Sequence, residues 1–445
     1  MQLCVAIAML LGAPAVDVAR IGARVRAYAD AGLFSGVVLV SKGHEVVYEQ
    51  AFGLADRAFG VANTPSTKFH IASVSKPITA AAILLLADRG QLSIGDPVSK
   101  YVPDFPNGDK ITLEEVLTHY SGLGDASSEP DYGQWSKFPQ TPRSLVDRLA
   151  KLPLAGEPGK SYDYSNSNYH LLALIIEKVS KTSYGAFLAT NIFKPLGMTS
   201  SGHPDDAKAI VDRLAVGYMP KGATGFELPA YFDWTSKTGN GSLYSTARDL
   251  LAFHEGLGKL LRPETLTAAY GFDRPEREVG MFWYRDDVAG HHAVHASGSS
   301  PGFKAHLACV LDDDVCVIAL SNVYIASASR LANDVVSLVY SPGKPLSAVP
   351  APVARTQAEL ATVPGRYQFG HDFYVPDAVG TVSIDRGDVV LALRERHHDA
   401  GASRRRQLSR SSLLVLHPLR GGFARVQKRL LRIHRAAPAL ATGCA

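Results

Sequence analysis

The 445-residue chain has no run of 18 apolar residues, so no segment of it reads as a transmembrane helix. Met1 to Ala15 is apolar and ends in the small-x-small sequence Ala13-Pro-Ala15, yet it is too short to span a bilayer. It reads as a signal peptide that lacks a basic leading region, which points to a periplasmic or secreted protein. Cys4 has no small residues directly before it, which argues against a lipoprotein anchor. Cysteine is scarce, at four residues, and no Cys/His spacing resembles a zinc site. The nearest approach to a metal cluster is His291-His292-x-x-His295, which lacks the helical His-Glu-x-x-His setting of a zinc hydrolase. No metal and no organic cofactor is therefore expected. Charge is also sparse, at 20% of residues, and it is unevenly placed. Residues 400–445 hold nine Arg, one Lys and no acid, so the remaining body carries 4 − 10 = −6. A mildly acidic body excludes a nucleic-acid-binding surface as its main business.

What is present is an ordinary globular composition, 46% apolar, in a chain long enough for more than one domain. Cys309 and Cys316 flank Leu311-Asp-Asp-Asp-Val315, which looks like a hairpin tip. They can face each other across two strands, and export would permit a disulfide; the reading adopted is two buried free thiols. A helix is expected over Asp17 to Ala31, then a hairpin from Gly36–Ser41 and Glu45–Gln50. A second hairpin, Lys304–Leu311 with Val315–Leu320, comes near residue 320 and is followed by a helix from Ala326 to Tyr340. Strands at both ends of a helix-rich stretch imply one sheet built from both termini, with a helical lobe inserted and a cleft between them. Prolines 342, 345, 350, 352 and 364 mark residues 341–364 as a linker. Residues 365–395 read as short strands of a partial β domain (Gly365–Tyr367, Asp372–Val375, Gly380–Ile384, Val389–Leu393). Residues 396–445 read as a basic tail, disordered or altered by a shift of reading frame. No internal repeat is visible.

Ser73-Val-Ser-Lys76 carries the most chemistry. A Ser and a Lys three apart on a helix share one face. A hydroxyl needs a base to become a nucleophile, and a buried lysine of lowered pKa can serve. The surrounding residues read as a helix start, with Ser73 as a suitable N-cap and orphan backbone N–H groups beside it that could hold an oxyanion. A cap and a solvated surface lysine would explain the same four residues. Further on, Tyr164-Ser-Asn166 places a phenol and an amide two apart before an apolar helix. A tyrosine near a cationic lysine can act as a general base, and an Asn beside it can bond both the lysine and a substrate amide. A packed aromatic and a helix cap are the plainer roles of the pair. His295-Ala-Ser-Gly-Ser-Ser-Pro-Gly-Phe303 precedes the second hairpin, and its small residues would let a substrate backbone approach.

Together these segments resemble the serine β-lactamase-related, penicillin-binding-protein-like hydrolases, nearest to the class C-like branch of D-Ala-D-Ala carboxypeptidases, D-aminopeptidases and esterases. Phe34–Val40, Ser73-x-x-Lys76, Leu117–Leu123, Tyr164-x-Asn166, Pro195–Met198, Ser242–Asp249 and Pro301-Gly-Phe303 occur in the family's order, covering about residues 17–340. The resemblance implies an α/β (α+β) fold: an antiparallel sheet flanked by helices, with an inserted helical lobe. It also implies that the β domain after the linker is a small lipocalin-like appendage. By resemblance, Ser73 is acylated, Lys76 and Tyr164 share the acid and base roles, and Asn166 positions the substrate. The backbone N–H groups of Ser73 and Ser299 would hold the oxyanion, with Gly298 beside them. Lys237-Thr-Gly239 looks like the family's third motif but lies in a segment that precedes the catalytic strand. Counted from Phe303, the family's His or Lys position falls on Ala296, one residue after His295, and His295 is the residue expected to contribute. The missing cation argues for ester or D-peptide turnover over efficient β-lactam hydrolysis. The implied substrate is a small molecule or peptide, and cell-wall peptide fits. The alternatives are a catalytically weak relative that binds cell-wall peptides and, last, a metal hydrolase built on His291, His292 and His295.

Overall fold

The computed structural model describes residues 16–205, 209–221, 225–271, 279–281, 283–288, 290–341, 343, 345–349, 365–368, 379–385, 388–394 and 414–416. The proposed signal peptide, most of the linker, the expected strand at 372–375 and nearly all of the basic tail lie outside them.

The elements that position the site are α1 (Val18–Asp30), β1 (Gly36–Lys42), β2 (Glu45–Phe52), α2 (Ser75–Asp88), α3 (Asn166–Ser180), α4 (Ala247–Leu260), β3 (Tyr284–Val288), β4 (His291–Ser300), β5 (Phe303–Val310), β6 (Val315–Ser321) and α5 (Ala328–Tyr340). The strands form one antiparallel sheet in the order β2-β1-β6-β5-β4-β3, so the N-terminal hairpin pairs with the last strand of the distant group. This is the antiparallel sheet flanked by helices that the motifs imply. β1 shows why it is central: Val37 and Leu39 face one core cluster while Val38 and Val40 face the other, all four fully buried. On one side α1 and α5 cover the sheet through Ile21, Val25, Leu331 and Val335. On the other lies the larger cluster, which includes α2 and α3. α2 is buried from Ser75 to Leu86 without a solvent-facing stripe, as a central helix must be. Each of its leucines and isoleucines gains about 1.5–3 kcal/mol from burial. That stabilisation is what allows the same helix to carry a lysine with no exposure to water.

Two expectations are corrected. Ser73 does not cap the helix: it sits in a 3₁₀ turn, Ala72–Val74, and Val74 occupies the cap position with no side-chain cap bond. The serine hydroxyl is thereby left for other partners. Cys309 and Cys316 are not free thiols. They are direct partners in the β5–β6 pairing, with Cα atoms 4.1 Å apart, and a disulfide joins them. Beyond residue 364, strands Gly365–Gln368, Val379–Asp385, Asp388–Arg394 and Leu414–Leu416 form a four-stranded antiparallel sheet. Its last strand comes from the segment read as basic tail.

Candidate active site

The 3₁₀ turn leads directly into α2, so Ser73 and Lys76 are presented from one short segment. Ala72, just before the serine, has φ +48°, a conformation that an L side chain adopts at a cost of about 1–3 kcal/mol. Ser73 Oγ lies 3.0 Å from Lys76 Nζ and 2.9 Å from Tyr164 Oη, and Nζ is 2.7 Å from Tyr164 Oη. The three groups form a closed triangle. Nζ also lies 3.0 Å from Asn166 Oδ1 and 3.0 Å from the Asn240 carbonyl. Burial drives the proton affinity of Lys76 well below its ordinary value; nearby Asp125 opposes this and Lys237 adds to it. A neutral amine has two N–H donors and one lone pair. In that form the two carbonyl oxygens, which can only accept, take the donors, and the lone pair is left for the hydroxyls of Ser73 and Tyr164. Such an arrangement can take a proton from a serine as it attacks.

Asn166 opens α3, and its orientation is set from outside the helix. Asp125 Oδ2 accepts from Asn166 Nδ2 at 3.0 Å and from its backbone N–H at 3.2 Å, and Ser127 Oγ lies 3.3 Å from Nδ2. A carboxylate accepts only, so the amide nitrogen must turn toward it and Oδ1 toward Lys76. Both amide donors are thus engaged within the protein. Asn166 orients the lysine, and the second donation expected from it, to a substrate amide, is already taken. Asp125 also sits at the N-terminus of α3, where negative charge is favoured.

The far wall is β4. A Cβ at Gly298 would fall 2.2 Å from the Ile71 carbonyl oxygen and 3.1 Å from the Ser73 nitrogen, so only glycine lets the strand come this close to the Ser73 turn. Ser299 follows directly, its Oγ accepting from Lys304 Nζ at 2.8 Å. His295 is not brought to the triangle. Val294 and Ala296 belong to the core cluster that contains α2, whereas Ala293 belongs to the opposite one. Strand alternation then turns His295 to the face of Ser297 and His306, and its ring stacks on Tyr284 and His306 at 5.4 and 5.5 Å. Burial lowers its pKa. No hydrogen bond or ring contact of His295 reaches Ser73, Lys76 or Tyr164. Nor do the three histidines of the metal reading converge. His291 pairs with Asp313 at 3.2 Å, and among the described residues the only cluster of metal-binding type is His254 with the two disulfide-bonded cysteines.

Two contributors had no assigned role in the sequence. Asp125 carries no motif of its own. His119, inside Leu117–Leu123, stacks on Tyr164 with ring centroids 4.6 Å apart. Its Nδ1 accepts the Ser165 N–H at 3.2 Å, which fixes the ring beneath the tyrosine. Burial holds its pKa well below the ordinary value, so it packs as a neutral ring. Among the described residues no helix is long and apolar enough to cross a membrane.

A model of the Beta-lactamase family matches residues 21–339. A Bacillus subtilis (strain 168) protein named as penicillin-binding protein PbpX is 33% identical over 297 residues, 65% of this chain and 71% of the relative. The crystal structure of a penicillin-binding protein from Bacillus halodurans superposes with a TM-score of 0.63 at 25% identity, covering 71% of this chain and 98% of that one. A D-stereospecific amidohydrolase from a Streptomyces species has a TM-score of 0.64 at 22% identity, covering 74% and 100%, and shows the shared fold.

Proposed function

The chain belongs to the Beta-lactamase family, and from that premise we propose that it is a serine hydrolase working through an acyl-enzyme at Ser73. The observation that carries this reading is the triangle of Ser73, Lys76 and Tyr164, with a fully buried lysine whose Nζ lies within hydrogen-bond distance of both hydroxyls. In the first half-reaction Ser73 Oγ forms a bond to the substrate carbonyl carbon and its proton passes to Lys76 Nζ. The oxyanion is held by the N–H groups of Ser73 and Ser299, where Gly298 brings β4 against the nucleophile's turn. The carbon–leaving-group bond breaks as the leaving oxygen or nitrogen takes a proton through Tyr164. Water then attacks the acyl-enzyme, giving up a proton to the same base, and Ser73 is released as the hydroxyl.

The substrate is an ester, a D-amino-acid peptide or amide, or a β-lactam. Relatives named as penicillin-binding proteins support an acyl donor of the cell-wall type, and an extracytoplasmic location agrees with it. Ester and D-peptide turnover are favoured over efficient β-lactam hydrolysis because β4 presents Ala296, not a cation, toward the α2 side of the sheet. The test is a panel of nitrocefin, p-nitrophenyl esters and D-Ala-D-Ala peptides on the wild type and Ser73→Ala. Turnover of at least one substrate, lost in Ser73→Ala, supports the reading. Binding of cell-wall peptides without turnover of any substrate supports the alternative of a non-catalytic binder.

A further inference from the structure

The Cys309–Cys316 pair has a third neighbour that the Ser73 chemistry does not use. α4 contributes Leu250, Phe253 and Leu257 to the core cluster that contains both cysteines. His254 lies four residues after Leu250 and three before Leu257, so it falls on the same buried stripe. A leucine would continue that stripe. A histidine instead brings two polar nitrogens to it, and Nδ1 is buried with no hydrogen-bond partner among the described residues. Leaving such an atom unpaired costs about 1–3 kcal/mol. Burial holds the pKa of the ring down at about 4, so the ring is neutral and keeps a lone pair free.

What the ring meets is sulfur. A ring nitrogen of His254, Cys309 Sγ and Cys316 Sγ all lie within 4.8 Å of one another. The cysteines are also held opposite each other by the strand ladder, with Ala308 paired to Val317 and Val310 to Val315 on either side. Opening the disulfide therefore leaves their backbones in register, and side-chain rotation is enough to separate the sulfurs. In a tetrahedral zinc site, with Zn–S bonds of about 2.3 Å, two thiolates stand about 3.8 Å apart. Two sulfurs and an imidazole are a soft donor set, which suits zinc and not magnesium or calcium. Two thiolates also cancel the charge of a divalent cation, so the apolar cluster would enclose a neutral unit.

We propose that His254, Cys309 and Cys316 form a second site, which holds a zinc-class divalent cation when the disulfide is reduced. A dithiol reductant supplies two electrons and two protons to the disulfide and is itself oxidised to a disulfide. Each cysteine thiol then loses its proton to solvent as its sulfur bonds the metal, and His254 gives a lone pair. Three protein ligands leave a fourth position for water. Disulfide and metal are alternative fastenings of one place in the fold, and the redox state of the compartment selects between them. The metal form ties α4 to β5 and β6 through His254, which the disulfide does not. The inference is independent of the hydrolase reading.

The test uses the full chain with Cys4→Ser and Cys444→Ser, so that Cys309 and Cys316 are its only thiols. The protein is reduced with a phosphine, freed of reductant under nitrogen and titrated with Co²⁺, beside the same protein left oxidised. The expected result is a single Co²⁺ per reduced chain, with thiolate-to-cobalt charge-transfer absorption that Zn²⁺ abolishes, and none per oxidised chain. Zn²⁺ should raise the melting temperature of the reduced form alone. His254→Leu keeps the apolar stripe and the fold, yet should weaken Co²⁺ binding by more than about tenfold, since even groups that only orient a ligand cost that much. Cys316→Ser should remove tight binding. A folded, reduced protein that binds no Co²⁺ overturns the proposal, and so does affinity unchanged in His254→Leu. A chain that unfolds on reduction and is not refolded by Zn²⁺ overturns it as well.

Discussion

The floor of the site and its far wall are built on different principles. On the floor, Ser73, Lys76, Tyr164 and Asn166 come from two segments, and each polar atom is placed by a bond to another, the set anchored by Asp125 and underlain by His119. On the wall, β4 supplies backbone and small side chains. Its position depends on what is missing at Gly298, and its one ionisable candidate, His295, turns to the other face of the sheet. The floor is made of side-chain chemistry, and the wall of shape. The difference teaches that removing a floor side chain should remove chemistry, whereas removing a wall side chain should at most alter selectivity.

The largest expected effect is at Lys76. Lys76→Met should lower kcat/KM by about 10³-fold, because the hydroxyl loses its base. The same variant sharpens the electrostatic argument. The native lysine binds its proton well below the ordinary value of 10.5, so between these limits the unfolded chain holds a proton that the native state does not. Stability from this group is therefore fully present above 10.5 and declines as pH falls toward the native pKa. The stability gained by Lys76→Met over the wild type, measured in urea, should shrink as pH rises from 7 to 10. A gap that is constant or widens would mean the lysine is charged in the native state.

Tyr164→Phe keeps the ring on His119 and removes only the hydroxyl. A loss of about 10²-fold in kcat is expected, with the pH profile altered as well. Full activity across pH would shift proton transfer to Lys76 alone. Asp125→Ala frees the Asn166 amide to rotate and should cost about tenfold in kcat through misplacement of Lys76, with Asp125→Asn recovering less than wild-type activity because one of its amide atoms is a donor. The smallest effect is assigned to His295→Ala, within about twofold in kcat/KM, since the ring touches no group of the triangle. A loss as large as that of Tyr164→Phe would move His295 into the floor and collapse the distinction.

The two regions also differed in how far the sequence revealed them. Ser73-x-x-Lys76 and Tyr164-x-Asn166 are local patterns whose spacing survives folding, so the floor could be named from them. The sheet was legible for the same reason: two hairpins with turn residues between apolar runs gave β1, β2, β5 and β6 nearly at their observed ends. Ser73 was misread as a cap because a serine before an apolar run suits both a cap and a 3₁₀ turn. Asp125 was not legible at all, since its role exists only where a loop meets the start of α3, 41 residues on. His295 and Ala296 differ by a single residue, which on a strand reverses the face, so spacing alone does not say which of them borders the site. The disulfide needed the pairing register, Cys309 opposite Cys316, which spacing alone left open. Lys237 was set aside as a third-motif imitation, and its nearness to Lys76 depends on a turn at Asn240 that no pattern announces.

The central claim is that Ser73 is the nucleophile and the floor is its activating apparatus. Its most direct test is exposure of the protein to a fluorophosphonate and to a fluorescent penicillin, followed by mass spectrometry of the intact chain and its peptides. The account predicts a single adduct from at least one reagent on the peptide containing Ser73, absent in Ser73→Ala and strongly slowed in Lys76→Met. An adduct on another residue, or none from either reagent with a folded protein, would contradict it.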